Sequence, residues 1–153
     1  MKLDKQEKSV LRILQAQGRI SNVELAEQIG LSESPCYRRV RGLEEAGVIA
    51  GYAAKVDRRK LGLQVIAFVM VTVENQEDGM LGDFFAAIAD EPHIVECHAM
   101  SGSQDFLLKA VAKSMDHFSD LVMKRILKIP GVKNVESNFS LRALKEGAPL
   151  PVD

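Results

Sequence analysis

The sequence has no tryptophan, only two cysteines in 153 residues, and no apolar run that approaches the length of a membrane span. A bilayer crossing needs about 20 consecutive apolar residues, and the first residues also lack the apolar stretch of a signal peptide. Cys36 and Cys97 lie far apart within apolar segments. Their placement favours buried thiols in a reducing compartment over a disulfide, and we expect a soluble, cytoplasmic protein without a membrane partner.

The formal net charge of -1 conceals an uneven distribution of charge along the chain. Residues 1–60 carry twelve Lys and Arg against eight Asp and Glu, whereas residues 61–153 carry eight against thirteen. The apolar content of 46% is enough for packed cores. We therefore predict two small domains, a basic one over residues 1–60, which includes a linker, and an acidic one over residues 61–153.

The first domain shows three short helical patterns. Asp4 and Glu7 have capping-box spacing, and the apolar periodicity after them predicts a helix over residues 4–17. A second helix is predicted between Ser21 and the stop signal Gly30, and a third from its cap Ser32 to Ala46. Residues 48–57 indicate a short hairpin or an extended segment. Three short helices with a tight turn before the third have the layout of a helix-turn-helix.

The second domain is predicted to have the order βαββαβ. Apolar strand patterns begin near residues 64, 94, 105 and 133, and helical periodicity covers residues 78–90 and 114–128. This order is that of a ferredoxin-like sandwich, with both helices on one face of an antiparallel sheet. The fold class is therefore α+β. The final residues, "KEGAPLPVD", are too polar and proline-rich to pack alone.

The first strand, "QVIAFVMVTV", shows almost no polar alternation. A sheet with helices on one face and water on the other normally alternates apolar and polar residues. Both faces are therefore expected to be buried, although only one can be covered by the two helices. A second copy of the chain is the simplest cover for the other face, and a tighter monomeric core is the alternative.

The third helix, "SPCYRRVRGLEEAG", separates apolar from basic residues when it is plotted at 100° per residue. One side carries the residues expected to face the core: Cys36, Val40, Leu43 and Gly47. The opposite side carries Ser34, Tyr37, Arg38 and Arg41, while Arg39 lies on the flank.

This arrangement is typical of a helix that binds DNA in the major groove. Arg38 and Arg41 can reach guanine edges or phosphates, and Ser34 and Tyr37 can contribute polar contacts, whereas Arg39 is expected to meet the DNA backbone. The basic run Arg58, Arg59 and Lys60 adds positive charge for phosphate neutralisation. The alternative is a solvated charged face in which Glu44 and Glu45 pair with the arginines.

Four stretches of the chain resemble the leucine-responsive regulatory protein and AsnC family of bacterial and archaeal transcription regulators. In chain order they are "GRISNVELAEQIGLS", "SPCYRRVRGLEEAGVIAGY", "VECHAMSGSQDFLLKA" and "IPGVKNVESNFSLRALK". The resemblance covers nearly the whole chain. It implies an N-terminal winged helix-turn-helix that binds double-stranded DNA and a C-terminal ferredoxin-like domain. It also implies regulation of amino-acid metabolism, and dimers that commonly assemble into octamers of four dimers with an amino-acid effector between dimers.

The resemblance also assigns site residues. The recognition helix corresponds to residues 32–46, so the DNA-binding set comprises Ser32, Ser34, Tyr37, Arg38, Arg39 and Arg41. The stretch "SGSQDFLL" borders the family's effector pocket, where Gly102 and Asp105 match the usual glycine and aspartate. Ser103 stands where many members carry an acidic residue, and Phe106 replaces a common tyrosine.

Physical chemistry gives the same turn a binding role. Backbone N–H groups around Gly102, Ser103 and Gln104 suit the carboxylate of an amino acid, and the Asp105 carboxylate suits its ammonium group. Ser140 and Leu141, expected on the last strand, are further candidates for lining this site. The alternative is that Gly102 and Asp105 only shape a hairpin.

Two other functions have less support in the sequence. An enzyme or metal site would rest on Glu96, Cys97, His98 and Asp105, but neighbouring strand residues point to opposite faces and no metal-ligand spacing is present. We therefore predict no catalytic residues, no metal ligands and no cofactor other than the effector. A module that binds an effector without specific DNA binding would lack the helix-turn-helix, which is intact here.

Overall fold

The computed structural model describes residues 2–74 and 78–153 of the chain. It divides into two compact units, the first comprising Met1–Lys55 together with Leu144–Asp153 and the second comprising Val56–Ala143. This boundary lies before the predicted division at Lys60. The final residues also differ from expectation, since they group with the first unit and not with the second. Among the described residues, no helix is long and apolar enough to span a membrane.

Three helices build the first unit: α1 (Lys5–Ala16), α2 (Asn22–Ile29) and α3 (Glu33–Glu45). The Asp4 side chain accepts hydrogen bonds from the backbone N–H groups of Gln6 and Glu7, and Glu7 closes the predicted capping box. Ser21 and Glu24 form an equivalent box at the start of α2. Each side-chain cap stabilises a helix by about 1 kcal/mol because it satisfies backbone donors that the helix leaves free.

The core of the first unit lies among the three helices. Its buried members are Val10, Leu11, Leu25, Ala26, Cys36 and Leu43. Cys36 and Leu43 are the buried residues of α3, and Val40 packs against them, so these three members of the predicted apolar face are confirmed. Gly47, predicted on the same face, is exposed, because α3 ends at Glu45 and Gly47 turns the chain with a left-handed φ of 69°. Residues 50–56 form no regular secondary structure. The predicted hairpin is therefore not formed in this stretch.

The second unit is a four-stranded antiparallel sheet with two helices. The strands are β1 (Val65–Val73), β2 (Ile94–Ala99), β3 (Phe106–Ala112) and β4 (Val132–Phe139), in the order β2-β3-β1-β4. The helices are α4 (Asp78–Ala89) and α5 (Met115–Lys124), and a short 3-10 helix follows at Ile126–Lys128. The predicted βαββαβ order and α+β class are confirmed. The last strand ends at Phe139, however, so Ser140 and Leu141 lie beyond it.

The helices bury one face of the sheet, whereas the opposite face is partly exposed. Alternate residues of the central strands, including Ala67, Val69, Val71, Leu108 and Ala110, are fully buried together with Phe84, Phe118 and Leu121 of the helices. On the opposite face the middle of β1 is apolar, yet Phe68 retains 37% of its accessible surface. Cross-strand neighbours of Phe68 are Lys109 and Asn138. Within one chain this second face is therefore apolar at its centre, polar at its edges and only partly covered.

Glu91, in the turn after α4, is a buried charged residue to which the sequence pattern gives no role. Its side chain is only 6% exposed, and it forms an ion pair with Arg125. It also accepts a hydrogen bond from the backbone N–H of His93 at 3.1 Å and contacts the imidazole Nδ1 at 2.9 Å. Burial acts to raise the pKa of Glu91, but the hydrogen bonds from His93 and Arg125 outweigh burial and hold this pKa below its usual value.

Glu91→Ala should destabilise the second unit by about 1–3 kcal/mol at neutral pH, since hydrogen bonds to a charged group are lost. Because the folded pKa is lowered, the stabilisation is fully present above the usual carboxyl pKa of about 4.3 and is lost as pH falls through the folded value. Urea unfolding between pH 7 and pH 3 measures both effects, with Asp83→Ala, at an exposed site on α4, as the control. A stability difference that persists unchanged at pH 3 would contradict the assignment.

Candidate functional site

The outward face of α3 carries the side chains predicted to contact DNA. Tyr37 is 56% exposed, and Arg38 and Arg41 are exposed on the same helix. Among the described residues, Arg38 has no ion-pair partner, whereas Arg41 lies 3.4 Å from Glu44 and 3.8 Å from Glu45. The predicted local pairing of acids with arginines thus forms at Arg41 and not at Arg38. Of the two exposed arginines on this face of α3, Arg38 is therefore the more available to an anionic partner.

Arg39 has a different environment from the other two arginines. It lies on the flank of α3, partly buried, and forms an ion pair with Asp4, the residue that caps α1. The hydrogen bond from the Glu7 N–H and this pair lower the pKa of Asp4. Arg39 therefore helps to join α3 to α1, and Asp4 competes with a phosphate for its guanidinium.

The start of α3 is positioned by the turn that precedes it. Gly30 adopts a left-handed conformation with φ 68°, and the Leu31 N–H then bonds to the Ala26 carbonyl at 2.9 Å. The Asn22 side chain donates to the Glu33 carbonyl at 3.0 Å and so joins the start of α2 to the start of α3. A residue with a Cβ would be strained at the φ of Gly30, which explains why glycine ends α2.

Within the described part of the chain, no hydrogen bond is seen for the hydroxyl groups of the two serines at the start of α3. Ser32 is the N-cap residue, as predicted, but its side chain makes no capping hydrogen bond, unlike Ser21 in α2 and Ser114 in α5. Ser32 and Ser34 are both exposed. The first-turn N–H groups and these hydroxyls can therefore donate to a phosphate, as the start of a helix favours.

Acidic and aromatic groups border the C-terminal part of α3. The Tyr52 hydroxyl donates to Glu44 Oε1 at 3.0 Å. Burial first, and then the hydrogen bond and charge of Glu44, raise the pKa of Tyr52. Glu44 thus divides its two carboxylate oxygens between Tyr52 and Arg41, and any DNA contact by Arg41 competes with this local pairing.

The run Arg58, Arg59 and Lys60 lies in the second unit and is partly engaged in structure. The Arg58 guanidinium donates to the carbonyl groups of Leu63 at 2.8 Å and Gln64 at 3.3 Å. Arg59 and Lys60 are exposed. Arg58 therefore fixes the turn before β1, and only its two neighbours are fully available to an external anion.

The turn before β3 holds the first group of predicted effector residues. The Asp105 carboxylate accepts a hydrogen bond from the Val73 N–H at 2.9 Å, and its own N–H donates to the Val71 carbonyl at 3.0 Å. Gly102 and Ser103 are exposed, and the Ser103 hydroxyl donates to Gln104 Oε1 at 3.0 Å. Asp105 thus has a structural role beside any role in binding, because it satisfies a backbone donor where the pairing of β1 with β4 shifts register.

The second group of predicted effector residues is not close to the first within one chain. Asp105 bonds to Val71 of β1, whereas the Ser140 N–H bonds to the Ile66 carbonyl at 3.0 Å. At about 3.3 Å per residue, these two points on β1 are about 16 Å apart. Leu141 is 99% exposed. Gly102, Ser103, Gln104 and Asp105 are therefore together, and Ser140 and Leu141 lie at the other end of the strand.

The sheet separates Cys97 from the other β2 residues of the alternative enzyme or metal site, since Glu96 and His98 contact each other at 3.4 Å on the opposite face. Cys97 is opposite Leu108 on the helix-covered face, where burial raises the pKa of its thiol. Glu96 instead bonds to Lys109 at 2.9 Å, which lowers the pKa of Glu96. Across residues 2–74 and 78–153, no three His, Cys, Asp or Glu side chains are grouped so that they could hold a metal ion.

Comparisons with known protein families match both units. A family described as the Lrp/AsnC ligand-binding domain matches residues 66–150, and a winged helix-turn-helix DNA-binding family matches residues 3–50. The chain is 41% identical over 152 residues to the leucine-responsive regulatory protein of Rhizobium meliloti, covering 99% of this chain and 97% of that protein. It is 32% identical over 151 residues to the transcriptional regulator AzlB of Bacillus subtilis, with coverages of 99% and 96%.

Solved structures agree over the same length. A transcriptional regulator from Neisseria meningitidis in complex with L-Met has a TM-score of 0.95 and 36% identity, covering 99% of this chain and 98% of that one. An AsnC family regulator from Agrobacterium tumefaciens has a TM-score of 0.92 and 32% identity, with coverage of 97% for both chains. The similarity therefore extends through both units.

Proposed function

Because the chain belongs to the Lrp/AsnC family of transcriptional regulators, we propose that its α3 enters the major groove of DNA. The chain is a DNA-binding regulator modulated by a small effector. In our assignment Arg38 and Arg41 contact base edges or phosphates, and Ser32, Ser34 and Tyr37 add polar contacts. Arg39 is assigned to the DNA backbone at the flank, in competition with Asp4.

One observation carries this assignment. The buried face of α3 is anchored by Cys36 and Leu43, and the opposite face presents an exposed guanidinium at Arg38 that has no ion-pair partner among the described residues. The helix places no acidic residue three or four positions from Arg38, unlike Arg41, so the Arg38 guanidinium is left for an external anion. The open hydroxyls of Ser32 and Ser34 lie at the end of the same helix that faces bases in helix-turn-helix proteins.

Binding to duplex DNA at increasing salt tests the proposal against an effector-binding module without specific DNA binding. The intact oligomer should bind duplex DNA at low ionic strength, and the logarithm of its affinity should fall linearly with the logarithm of salt concentration. Selection of sites from a random duplex pool should yield half-sites spaced by about one helical turn or a multiple. No binding at low salt would favour the module instead.

The family is oligomeric, and we assign the dimer contact to the second face of the sheet. Phe68 lies at the apolar centre of this face, and a two-fold axis would pack the same surface of another subunit on it. Four such dimers would then form an octamer, with the effector site between dimers.

Phe68→Glu should convert the assembly to smaller species, because burial of a carboxylate in an apolar interface is costly. The monomer should still fold, since Phe68 is partly exposed and faces Lys109. Size-exclusion chromatography with light scattering measures the change. The control is Met123→Glu, which introduces the same charge at an exposed site on α5. An unchanged mass for Phe68→Glu would place the dimer contact elsewhere.

The proposed effector is an amino acid. The similar regulator from Neisseria meningitidis has L-Met bound, and the turn at Gly102–Asp105 offers backbone donors for a carboxylate and a carboxylate for an ammonium group. Since Ser140 and Leu141 lie about 16 Å away along β1 in the same chain, we assign any contact from them to a neighbouring subunit. The site would then be complete only in the oligomer.

The remaining assignments follow from the family and are proposals for this chain. We assign it to the cytoplasm, to genes of amino-acid metabolism and to a regulatory role without catalysis. Effector control would operate by a shift between assemblies of different DNA affinity. This mechanism requires the amino acid to bind one assembly more tightly than another.

A further inference from the structure

Residues 144–153 belong to the first unit, although they follow the last strand of the second unit in the chain. They group with the helices of the first unit, where Leu150, Pro151, Val152 and Asp153 line a cavity of about 500 Å³. The other walls come from α1 and from residues 48–52, among them Leu11, Leu14 and Ile49. The segment is itself one wall of this cavity, so the cavity is space that remains beside the segment. We propose that the surface of α1 and residues 48–52 on which the segment lies is a peptide-binding groove, whose ligand is the sequence "PLPV", residues 149–152 of the chain itself.

The contacts in the groove are those of peptide recognition. The Gln15 carboxamide bonds to both backbone groups of Leu150, accepting from its N–H at 2.6 Å and donating to its carbonyl at 3.2 Å. Arg12 donates to the Val152 carbonyl at 2.6 Å. These bonds specify an extended backbone, since Leu150 and Val152 are two positions apart and present their polar groups on the same side of an extended segment.

The groove selects the side chain of the bound segment at one position only. Val152 packs against the core cluster of the first unit, whereas Leu150 remains 76% exposed. The groove therefore selects an apolar residue at position 152 and tolerates many residues at position 150. Leu150 is recognised through its backbone alone.

The two prolines prepare the segment for binding. Pro149 and Pro151 fix their own φ angles and restrict Ala148 and Leu150 to extended conformations, so little conformational entropy is lost on docking. Neither proline has an N–H, and the Leu150 N–H between them is the donor that Gln15 satisfies. Gly147, with φ 58°, allows the chain to turn before the segment enters the groove.

The docked segment changes how the two units are connected. The first unit is joined covalently to the second both at residues 55–56 and at residues 143–144. When the segment is bound, the DNA-binding helices are held by two tethers, and release would leave one. Because the second tether is intramolecular, a weak contact is sufficient to keep it closed. The bound segment therefore acts as a second, reversible connection between the two units. This role does not depend on which DNA or effector the protein binds.

A labelled peptide of residues 144–153 tests the site directly. Fluorescence anisotropy should show saturable binding to the chain truncated after Ala143 and at least tenfold weaker binding to the intact chain, whose groove is occupied. Gln15→Ala in the truncated chain should weaken binding at least tenfold. The peptide with Val152→Asp should fail to bind, whereas the matched Leu150→Asp peptide should bind within about twofold of the original, because that side chain faces solvent.

Amide hydrogen exchange in the full chain keeps the proposal testable if the truncated chain does not fold. The Leu150 amide should exchange at least tenfold more slowly than in the free peptide, and Gln15→Ala should remove this protection. Exchange of Leu150 at the free-peptide rate in the unaltered chain would overturn the proposal. Equal peptide binding by intact and truncated chains, or equal losses from Val152→Asp and Leu150→Asp, would also overturn it.

Discussion

Arg38→Glu is expected to weaken DNA binding by about 5- to 150-fold for each recognition helix, because one lost arginine contact costs about 1–3 kcal/mol. The physical reason is that Arg38 is exposed and, within the described part of the chain, not engaged in an ion pair. The substitution therefore breaks no ion pair of the described chain. Folding and oligomer size should remain those of the original protein.

The measurement is a DNA titration at several salt concentrations. If Arg38 binds a phosphate, the slope of log affinity against log salt should fall by about 1, and if it reads a base, discrimination at one position of the site should weaken. Lys124→Glu, an equal charge change on an exposed part of α5, is the control. Equal losses in the two variants would mean that only net charge matters and would remove Arg38 from the interface.

Arg41→Glu provides an internal comparison. Arg41 is already paired with Glu44 and Glu45, so its contact with DNA must be exchanged against these local pairs, each worth a few tenths of a kcal/mol. We expect a smaller loss of affinity than for Arg38→Glu. Retained affinity in both variants would refute the assignment of this face of α3 to DNA.

Asp105→Asn is expected to abolish the response to amino acids while leaving the fold intact. Asparagine keeps an oxygen that can accept from the Val73 N–H, but it removes the negative charge that would pair with an ammonium group. Truncation of one partner of a hydrogen-bonded charge pair costs about 2–5 kcal/mol, which corresponds to an affinity loss of about 30-fold or more.

A thermal-shift screen of the amino acids, beginning with L-Met, followed by sizing with and without each hit, measures this effect. A second variant, Asp105→Ala, is needed for comparison because it removes the hydrogen bond from the Val73 N–H as well. It should lower the free energy of unfolding by about 1–3 kcal/mol even without ligand. Comparison of the two variants separates binding from folding. An undiminished amino-acid response in Asp105→Asn would eliminate the ammonium contact from the proposed site.

The three arginines of α3 illustrate how far sequence reasoning reaches. Helical periodicity placed Arg39 on the flank of α3 and Arg38 and Arg41 on its outer face, and the burial of Cys36 and Leu43 confirms that orientation. The ion pair between Arg39 and Asp4 could not be predicted, because the local pattern accounts for Asp4 completely as the cap of α1. Asp4 serves both roles, and the second depends on how α1 and α3 pack.

The turn at Gly102–Asp105, before β3, illustrates a different limit of prediction from sequence. The residue types of "SGSQD" indicated a binding role for Asp105, but its bond to Val73, across 32 residues, follows from strand register. Ser140 and Leu141 were predicted to line the same site as this turn. Strand pairing puts them near opposite ends of β1, so within one chain the two groups are separate.

The sequence by itself determined the helices, their caps, the order of the strands and the polar face of α3. Each of these depends on residues within a few positions of one another, through helical periodicity, strand patterning and local hydrogen bonds. Only the tertiary structure decided that Glu91 is buried against Arg125, that Asp105 supports β1, and that residues 149–152 bind Gln15 and Arg12. These contacts join residues between 32 and 140 positions apart, and they exist only because packing brings distant side chains within hydrogen-bonding distance, which no local pattern encodes.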